Sequence, residues 1–195
     1  MKTIGILALQ GDFVEHAASV EAIGRQVRFI KSAQDLSDID GLILPGGEST
    51  VMGLLAEKYD LVKPIQRLIK SGLPTLATCA GLILLANKVH SQKEGGQATI
   101  GGLNIVVNRN FNGSQVNSFE AKVVARDISD KPLGVMFIRP PAIMRAGGGV
   151  ETLASYDFGH GNEPVLIRQG NIVGASFHTE LGRDHSLHKY FLSLG

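Results

Sequence analysis

The sequence predicts an α/β protein with a mostly parallel central sheet, helices on both faces and extra antiparallel strands in its second half. Three observations carry that expectation. Residues 3–9, 27–30, 41–44 and 74–77 are short apolar runs of the kind found in strands buried on both faces. Between them lie segments with helical spacing or helix-boundary residues. Beyond Leu103, by contrast, strand-like runs follow one another with little helix between them. Alternating strand and helix implies right-handed crossovers and parallel pairing, whereas strands in close succession imply antiparallel pairing.

Taken in order, residues 3–9 form a first strand, and residues 13–23 a helix with Phe13, Ala17, Val20 and Ile23 on one face and Gly24 as its stop. Residues 27–30 and 41–44 are the next strands, the second running into Pro45, Gly46, Gly47, Glu48, Ser49 and Thr50. Ser49 or Thr50 is expected to cap a short helix through Leu54 and Leu55. Asp60 is expected to open another, with Leu61, Ile65, Leu68 and Ile69 inward and Gly72 near its end. A strand through Pro74 and Ala77 then meets Cys79, and a leucine-rich helix is expected to follow Gly81. Residues 91–97 read as an exposed connection. Strands are expected over 103–107, 119–125, 133–138 and 150–155, then a hairpin of 164–168 with 171–177 about Gln169 and Gly170. Asp184 is expected to cap a last helix carrying Leu187, Tyr190, Phe191 and Leu194.

No composition shift interrupts the 195 residues, so residues 1–195 are expected to form one domain. With 44% hydrophobic and 19% charged residues the chain is globular in composition. A net charge of +1 without a long like-charge run argues against a nucleic-acid stripe or an anionic membrane surface. No apolar run reaches the ~20 residues that span a bilayer. One cysteine forms no internal disulfide, and its simplest setting is a reducing cytoplasm.

By default a lone free cysteine is a small core hydrophobe. Cys79, however, falls between an apolar strand and a helix, among the small residues Ala77, Ala80 and Gly81. A sharp turn there lifts the sulfur out of the packed layer, aims a helix N-terminus at it and favours thiolate. A cysteine nucleophile needs a base, and that imidazole needs a partner on its other nitrogen. In Ser176, Phe177, His178, Thr179 and Glu180, an extended backbone would put His178 and Glu180 on one face. Cys79, His178 and Glu180 are therefore the expected catalytic triad. Gly46 and Gly47 lack the lysine of a phosphate loop, and a plain turn is their default. Facing the elbow, the Gly47 amide could join the Ala80 amide as an oxyanion hole.

The other histidines are read more plainly. His90, His160, His185 and His188 lie in polar or terminal stretches and are expected in solvent, while His16 either packs or faces water. Scattered histidines and one cysteine give no convincing zinc spacing; a weak metal site at His185 and His188 is disfavoured.

Read together, residues 45–50, 78–82 and 176–180 resemble class I glutamine amidotransferases. More narrowly they resemble the glutaminase subunits of pyridoxal 5'-phosphate synthases, and the likeness extends through residues 4–11, Arg109, residues 115–120 and residues 137–141 to the last helix. The resemblance implies a three-layer, flavodoxin-like amidotransferase fold. It implies hydrolysis of L-glutamine to glutamate and ammonia by Cys79, His178 and Glu180 through a glutamyl thioester. Gly46, Gly47, Glu48, Arg109, Ile138 and Arg139 are then expected to contact glutamine, an arginine meeting its α-carboxylate. The partner implied is the synthase (lyase) subunit that uses the ammonia in vitamin B6 biosynthesis, with the glutaminase nearly inactive until that subunit docks. Hydrolysis itself calls for no metal or organic cofactor, and pyridoxal phosphate is the product of the complex. The family usually has proline where this chain has Thr179, and often glycine where it has Ala77. Two other readings are a glutaminase subunit of another biosynthetic amidotransferase, such as one serving histidine synthesis, and a non-catalytic glutamine-binding module.

Overall fold

The computed structural model describes residues 2–90, 98–109 and 118–195. The expected connection at 91–97 and the family-like residues 115–117 lie outside them. A seven-stranded sheet forms the middle layer. It comprises β1 (Thr3–Leu7), β2 (Gln26–Ile30), β3 (Gly41–Leu44), β4 (Thr75–Thr78), β10 (Glu151–Asp157), β11 (Asn162–Gln169) and β12 (Ile172–Ala175), in the order β10-β11-β12-β4-β3-β1-β2. The contacts from β2 to β12 are all parallel, and β11 pairs antiparallel with both β12 and β10.

The period-two alternation of strand side chains separates two cores. Leu42, Leu44 and Ala77 face one layer, with α2 (Ser49–Lys58), α3 (Val62–Lys70) and α4 (Ala80–Leu85). Ile4, Ile6, Ile43 and Leu76 face the other, where α1 (Phe13–Ala22) and α5 (Ser186–Leu192) contribute Ala17, Val20, Leu187 and Phe191. Fully burying each Phe, Leu or Ile contributes about 1.5–3 kcal/mol, which is why the middle strands carry apolar residues toward both layers.

Smaller sheets extend both layers. β5 (Ala86–His90), β6 (Leu103–Asn108) and β9 (Ala142–Ala146) make a three-stranded sheet, and β7 (Phe119–Val123) pairs antiparallel with β8 (Leu133–Phe137). The rings of Phe119, Tyr156 and Phe177 lie 5.2, 5.1 and 5.8 Å from that of Phe137. This aromatic cluster ties β8 to the segment just before His178. Met136 and His178 exchange two backbone hydrogen bonds of 2.8 and 2.9 Å, which fix that segment further.

Several boundaries differ from the sequence reading for local reasons. Asp60 has φ +54°, so α3 begins at Val62. The N-cap of α2 is Glu48, whose carboxylate accepts from the Thr50 amide, not Ser49 or Thr50. α4 begins at Ala80, before Gly81, and Ala86 starts a strand instead of ending the helix. β5 and β9 were not expected; β5 pairs parallel with β6, whereas β9 pairs antiparallel. Asp184 Oδ1 does accept the Ser186 amide, but the helix N-cap is His185 and Leu194 lies beyond the last turn. Among the described residues no helix is long and apolar enough to cross a membrane.

Candidate active site

β1, β3 and β4 run parallel, so the loops that leave them gather at one edge of the sheet, where ligands bind in open α/β folds. Cys79 occupies the turn between β4 and α4 with φ +46° and ψ −102°. A non-glycine residue in that region costs on the order of 1–3 kcal/mol and persists only where its surroundings enforce it. Here the Cys79 amide donates to Ala175 of β12, and Ile83 N–H donates back to the Cys79 carbonyl. The residue is 9% exposed, so the thiol is sheltered without being sealed off. This is the expected elbow.

β12 ends at Ala175, three residues before His178, so a regular strand does not carry His178 and Glu180. The intended juxtaposition is reached nonetheless: His178 Nδ1 donates to Glu180 Oε1 at 2.7 Å. Thr179 is compatible with this, buried between them with its hydroxyl donating to the Asp184 carbonyl at 3.4 Å. Ala77 lies buried in β4 as ordinary core. Gly46 packs on the imidazole so closely that a Cβ there would lie 2.3 Å from His178 Cε1 and 2.8 Å from Nδ1. Any side chain at 46 would displace the His178 imidazole.

Asp12, not foreseen from the sequence, places Oδ2 3.3 Å from the same His178 nitrogen. Burial opposes charge on His178, but hydrogen bonds with Asp12, Cys79 and Glu180 outweigh it and raise its pKa to about 12. Burial likewise opposes the Glu180 carboxylate; the neighbouring His16 and the His178 hydrogen bond overcome this and lower its pKa to about 2. The arrangement therefore favours imidazolium against carboxylate, the state that stabilises a cysteine thiolate. Asp12, His178 and Glu180 do present ligand atoms within 4.8 Å of one another, a convergence that linear spacing did not reveal. A metal there would compete with the short Nδ1 hydrogen bond.

The Glu180 shift sets a pH dependence. Its folded pKa is depressed, so its stabilisation is present above the ordinary value of 4.5 and lost as pH falls toward about 2. Urea midpoints measured at about pH 6 and about pH 3 should therefore fall less in Glu180→Gln than in the wild type. Equal falls in the two proteins would assign acid sensitivity to other carboxyl groups.

The cavity at this edge has a volume of about 370 Å3 and is lined by Gln10, Asp12, Gly47, Glu48, Ser49, Cys79, Ala80, Ile83, Arg109, Ile138, Arg139 and His178. That volume suits an amino-acid-sized ligand. Of the residues expected to serve the site, Gly47, Glu48, Cys79, Ala80, Arg109, Ile138, Arg139 and His178 line it. Gly46 and Glu180 stand behind the imidazole. Arg109 donates to Glu48 Oε1 at 3.0 Å and to Thr50 Oγ1 at 2.8 Å, joining β6 to the head of α2. Arg139 has φ +42°, a second strained backbone at the site. Gln10, Asp12, Ser49 and Ile83 escaped the sequence reading. The rule that ligands gather at strand carboxyl ends, applied to β1, would have found the first two. A larger cavity of about 460 Å3, bounded by β7, β8 and residues 181–184, contains neither the thiol nor the imidazole, so the chemistry points to the smaller one.

Family comparison agrees with this geometry. Residues 6–194 match the model of the SNO glutamine amidotransferase family. The chain belongs to that family. Among SNO relatives, a pyridoxal 5'-phosphate synthase subunit PdxT from Kosmotoga olearia is 44% identical, covering 97% of this chain and 95% of that protein. The PdxT of Bacillus licheniformis is also 44% identical, over 100% of this chain and 95% of its own. A crystal structure described as a glutamine amidotransferase superposes with TM-score 0.90 at 39% identity, covering 98% of this chain and 97% of that one. The three-layer fold expected from the resemblance to class I glutamine amidotransferases is thus the observed one.

The remaining histidines correct the sequence reading at His185 and His188. His90 and His160 are exposed as expected, and His185 is half-buried. His188 is not in solvent: it is fully buried against His16, which is itself fully buried behind Glu180. A helical histidine near a chain end gives no sign in sequence that its own helix turns it inward.

Proposed function

We infer that this chain hydrolyses L-glutamine to glutamate and ammonia, and supplies the ammonia to a synthase subunit that builds pyridoxal 5'-phosphate in vitamin B6 biosynthesis. The observation that carries the reading is the strained Cys79 turn opening into the same cavity as His178, with Glu180 on the far nitrogen of that imidazole. Relatives named as PdxT subunits of pyridoxal 5'-phosphate synthase, matched over nearly their full length, support the acceptor.

The proposed chemistry follows from the atoms. Glu180 and Asp12 occupy Nδ1 of His178 and leave Nε2 for the sulfur. Cys79 attacks the side-chain carboxamide as thiolate, and the amides of Gly47 and Ala80 would hold the resulting oxyanion. His178 returns the proton to the departing ammonia, then activates the water that hydrolyses the thioester. Glu48, Arg109, Ile138 and Arg139, with Gly46 and Gly47 shaping the wall, would hold the amino-acid end of the substrate. No step calls for a metal or organic cofactor. We read residues 1–195 as one amidotransferase domain working in a cytoplasm, a setting that the lone free cysteine supports.

Free ammonia in neutral water is mostly protonated and not nucleophilic, so the glutaminase gains by acting only on its acceptor. Glutamate release from L-glutamine should therefore be low for the chain alone and rise at least tenfold, as an order of magnitude, when the synthase subunit is added. A high rate that ignores that subunit would point to another acceptor.

A further inference from the structure

Behind the triad lies a buried group of polar side chains that the proposed reaction leaves without a role. His16 of α1 is wholly inaccessible, as are Thr78 at the end of β4 and His188 of α5. His16 Nδ1 is 3.0 Å from His188 Nε2, and its Nε2 is 3.0 Å from Thr78 Oγ1 and 3.5 Å from Glu180 Oε2. Glu180 Oε2 has no hydrogen-bond partner among the described residues, and neither does His188 Nδ1. Side chains from three separate elements thus meet at the His16 ring, whose Nε2 faces the carboxylate oxygen that His178 does not use.

Counting protons selects one arrangement. A neutral imidazole has one N–H and one bare nitrogen. Burial lowers the pKa of His188 to about 3 and lowers that of His16 as well, so both rings are neutral near pH 7. Suppose His16 carried its proton on Nδ1. Its Nε2 lone pair would then face the Glu180 carboxylate, and His188, accepting at Nε2, would bury an unpartnered Nδ1–H. Both features are unfavourable, since a buried unsatisfied group costs about 1–3 kcal/mol and like partial charges repel. The opposite arrangement removes the repulsion and leaves His188 Nδ1 as a bare lone pair instead of a buried N–H. His188 Nε2–H donates to His16 Nδ1, and His16 Nε2–H lies between Thr78 Oγ1 and Glu180 Oε2.

We propose that His16, locked in its Nε2–H tautomer by His188, is a positioning residue that holds the rear oxygen of Glu180 and thereby the orientation of His178. The network runs from His188 through His16 and Glu180 to His178 and the Cys79 sulfur, fastening α5 and α1 to the catalytic turn. The titratable groups around it are His178 and Glu180 on one segment, Asp12 and Glu15 at the start of α1, His185 beside His188, and Cys79 at the head of α4. The effect on glutamine turnover rests on the glutaminase reading given above; the tautomer does not.

Two measurements test it. The first is the side-chain nitrogen NMR spectrum of the uniformly 15N-labelled full chain near pH 7. The expected result is a protonated Nε2 and a bare Nδ1 on His16; a protonated Nδ1 overturns the proposal without any variant. The second compares His16→Leu with His16→Gln, which keeps an N–H near the Nε2 position, in the presence of the synthase subunit. His16→Leu should lower kcat about tenfold to a hundredfold with KM changed less than about threefold. It should also move the acid limb of kcat/KM upward, because the Glu180 carboxylate loses the neighbouring imidazole that helps hold its pKa down. His16→Gln should recover most of both. A Leu variant with wild-type kcat and limb, or a Gln variant no better than Leu, contradicts the proposal, because simple loss of packing would not shift the limb. Failure of the wild type itself to hydrolyse glutamine would count against the glutaminase reading and leave the NMR result to decide the tautomer.

Discussion

Cys79→Ala is expected to reduce glutamine hydrolysis by about 10^4-fold or more while leaving the protein folded. The side chain is small and its removal opens little space, and alanine meets the same φ of +46° under the same restraints from Ala175 and Ile83. What disappears is the atom that bonds to the carboxamide carbon. His178 would retain Glu180 and Asp12 and have nothing to deprotonate. Steady-state glutamate release with the synthase subunit present measures the loss, and an unchanged thermal midpoint separates it from unfolding. Residual activity above about one per cent would mean that another group can act as nucleophile.

Gly11→Ala is expected to be nearly as damaging through a different cause. Gly11 sits at φ +95°, and a Cβ there would lie 1.8 Å from the Gly46 carbonyl oxygen and 2.9 Å from Gly47 Cα. The loops after β1 and β3 are in backbone contact at this point, joined by the Asp12 amide donating to Gly46 at 3.0 Å and the Glu48 amide donating to Gln10 Oε1 at 2.6 Å. Neither backbone can yield without moving Gly46 off the His178 ring. Combining the positive φ with overpacking gives a loss of about 2–4 kcal/mol, read as a lower urea midpoint. The surviving folded protein should lose about a hundredfold in kcat, the usual consequence of displacing a catalytic group by about 1 Å. Wild-type kcat would show that the two loops can part without disturbing the base.

The sequence made the parallel half of the sheet legible because its strands are buried on both faces. Continuous apolar runs such as Gly41–Leu44 leave few alternatives, and β1 and β3 fall within the expected segments while β4 begins and ends one residue later than expected. Cys79 was legible too, since a lone thiol between an apolar strand and a leucine-rich helix has a restricted set of geometries. β5 was not, because Ala86–His90 follows α4 without a turn residue and its pattern of two buried and three exposed positions is no stronger as strand than as helix. The pairing of His178 with Glu180 was anticipated for a reason only partly right. The side chains meet, but through bends after β12 held by Met136, a long-range contact invisible to local periodicity. Asp12, His16 and Thr78 belong to elements distant in sequence from His178 and Glu180, and only the packing of α1 against the sheet brings them together.

The proposed role requires glutamine nitrogen to pass from this chain to its acceptor. The direct measurement is the glutamate-release assay run with L-glutamine labelled with 15N in the side-chain amide, together with the synthase subunit, its carbon substrates and excess unlabelled ammonium. Label entering the ring nitrogen of pyridoxal 5'-phosphate undiluted by the ammonium, and lost with Cys79→Ala, is the predicted result. Label that appears only in free ammonia, or reaches the product equally well in the Cys79→Ala protein, would contradict the account.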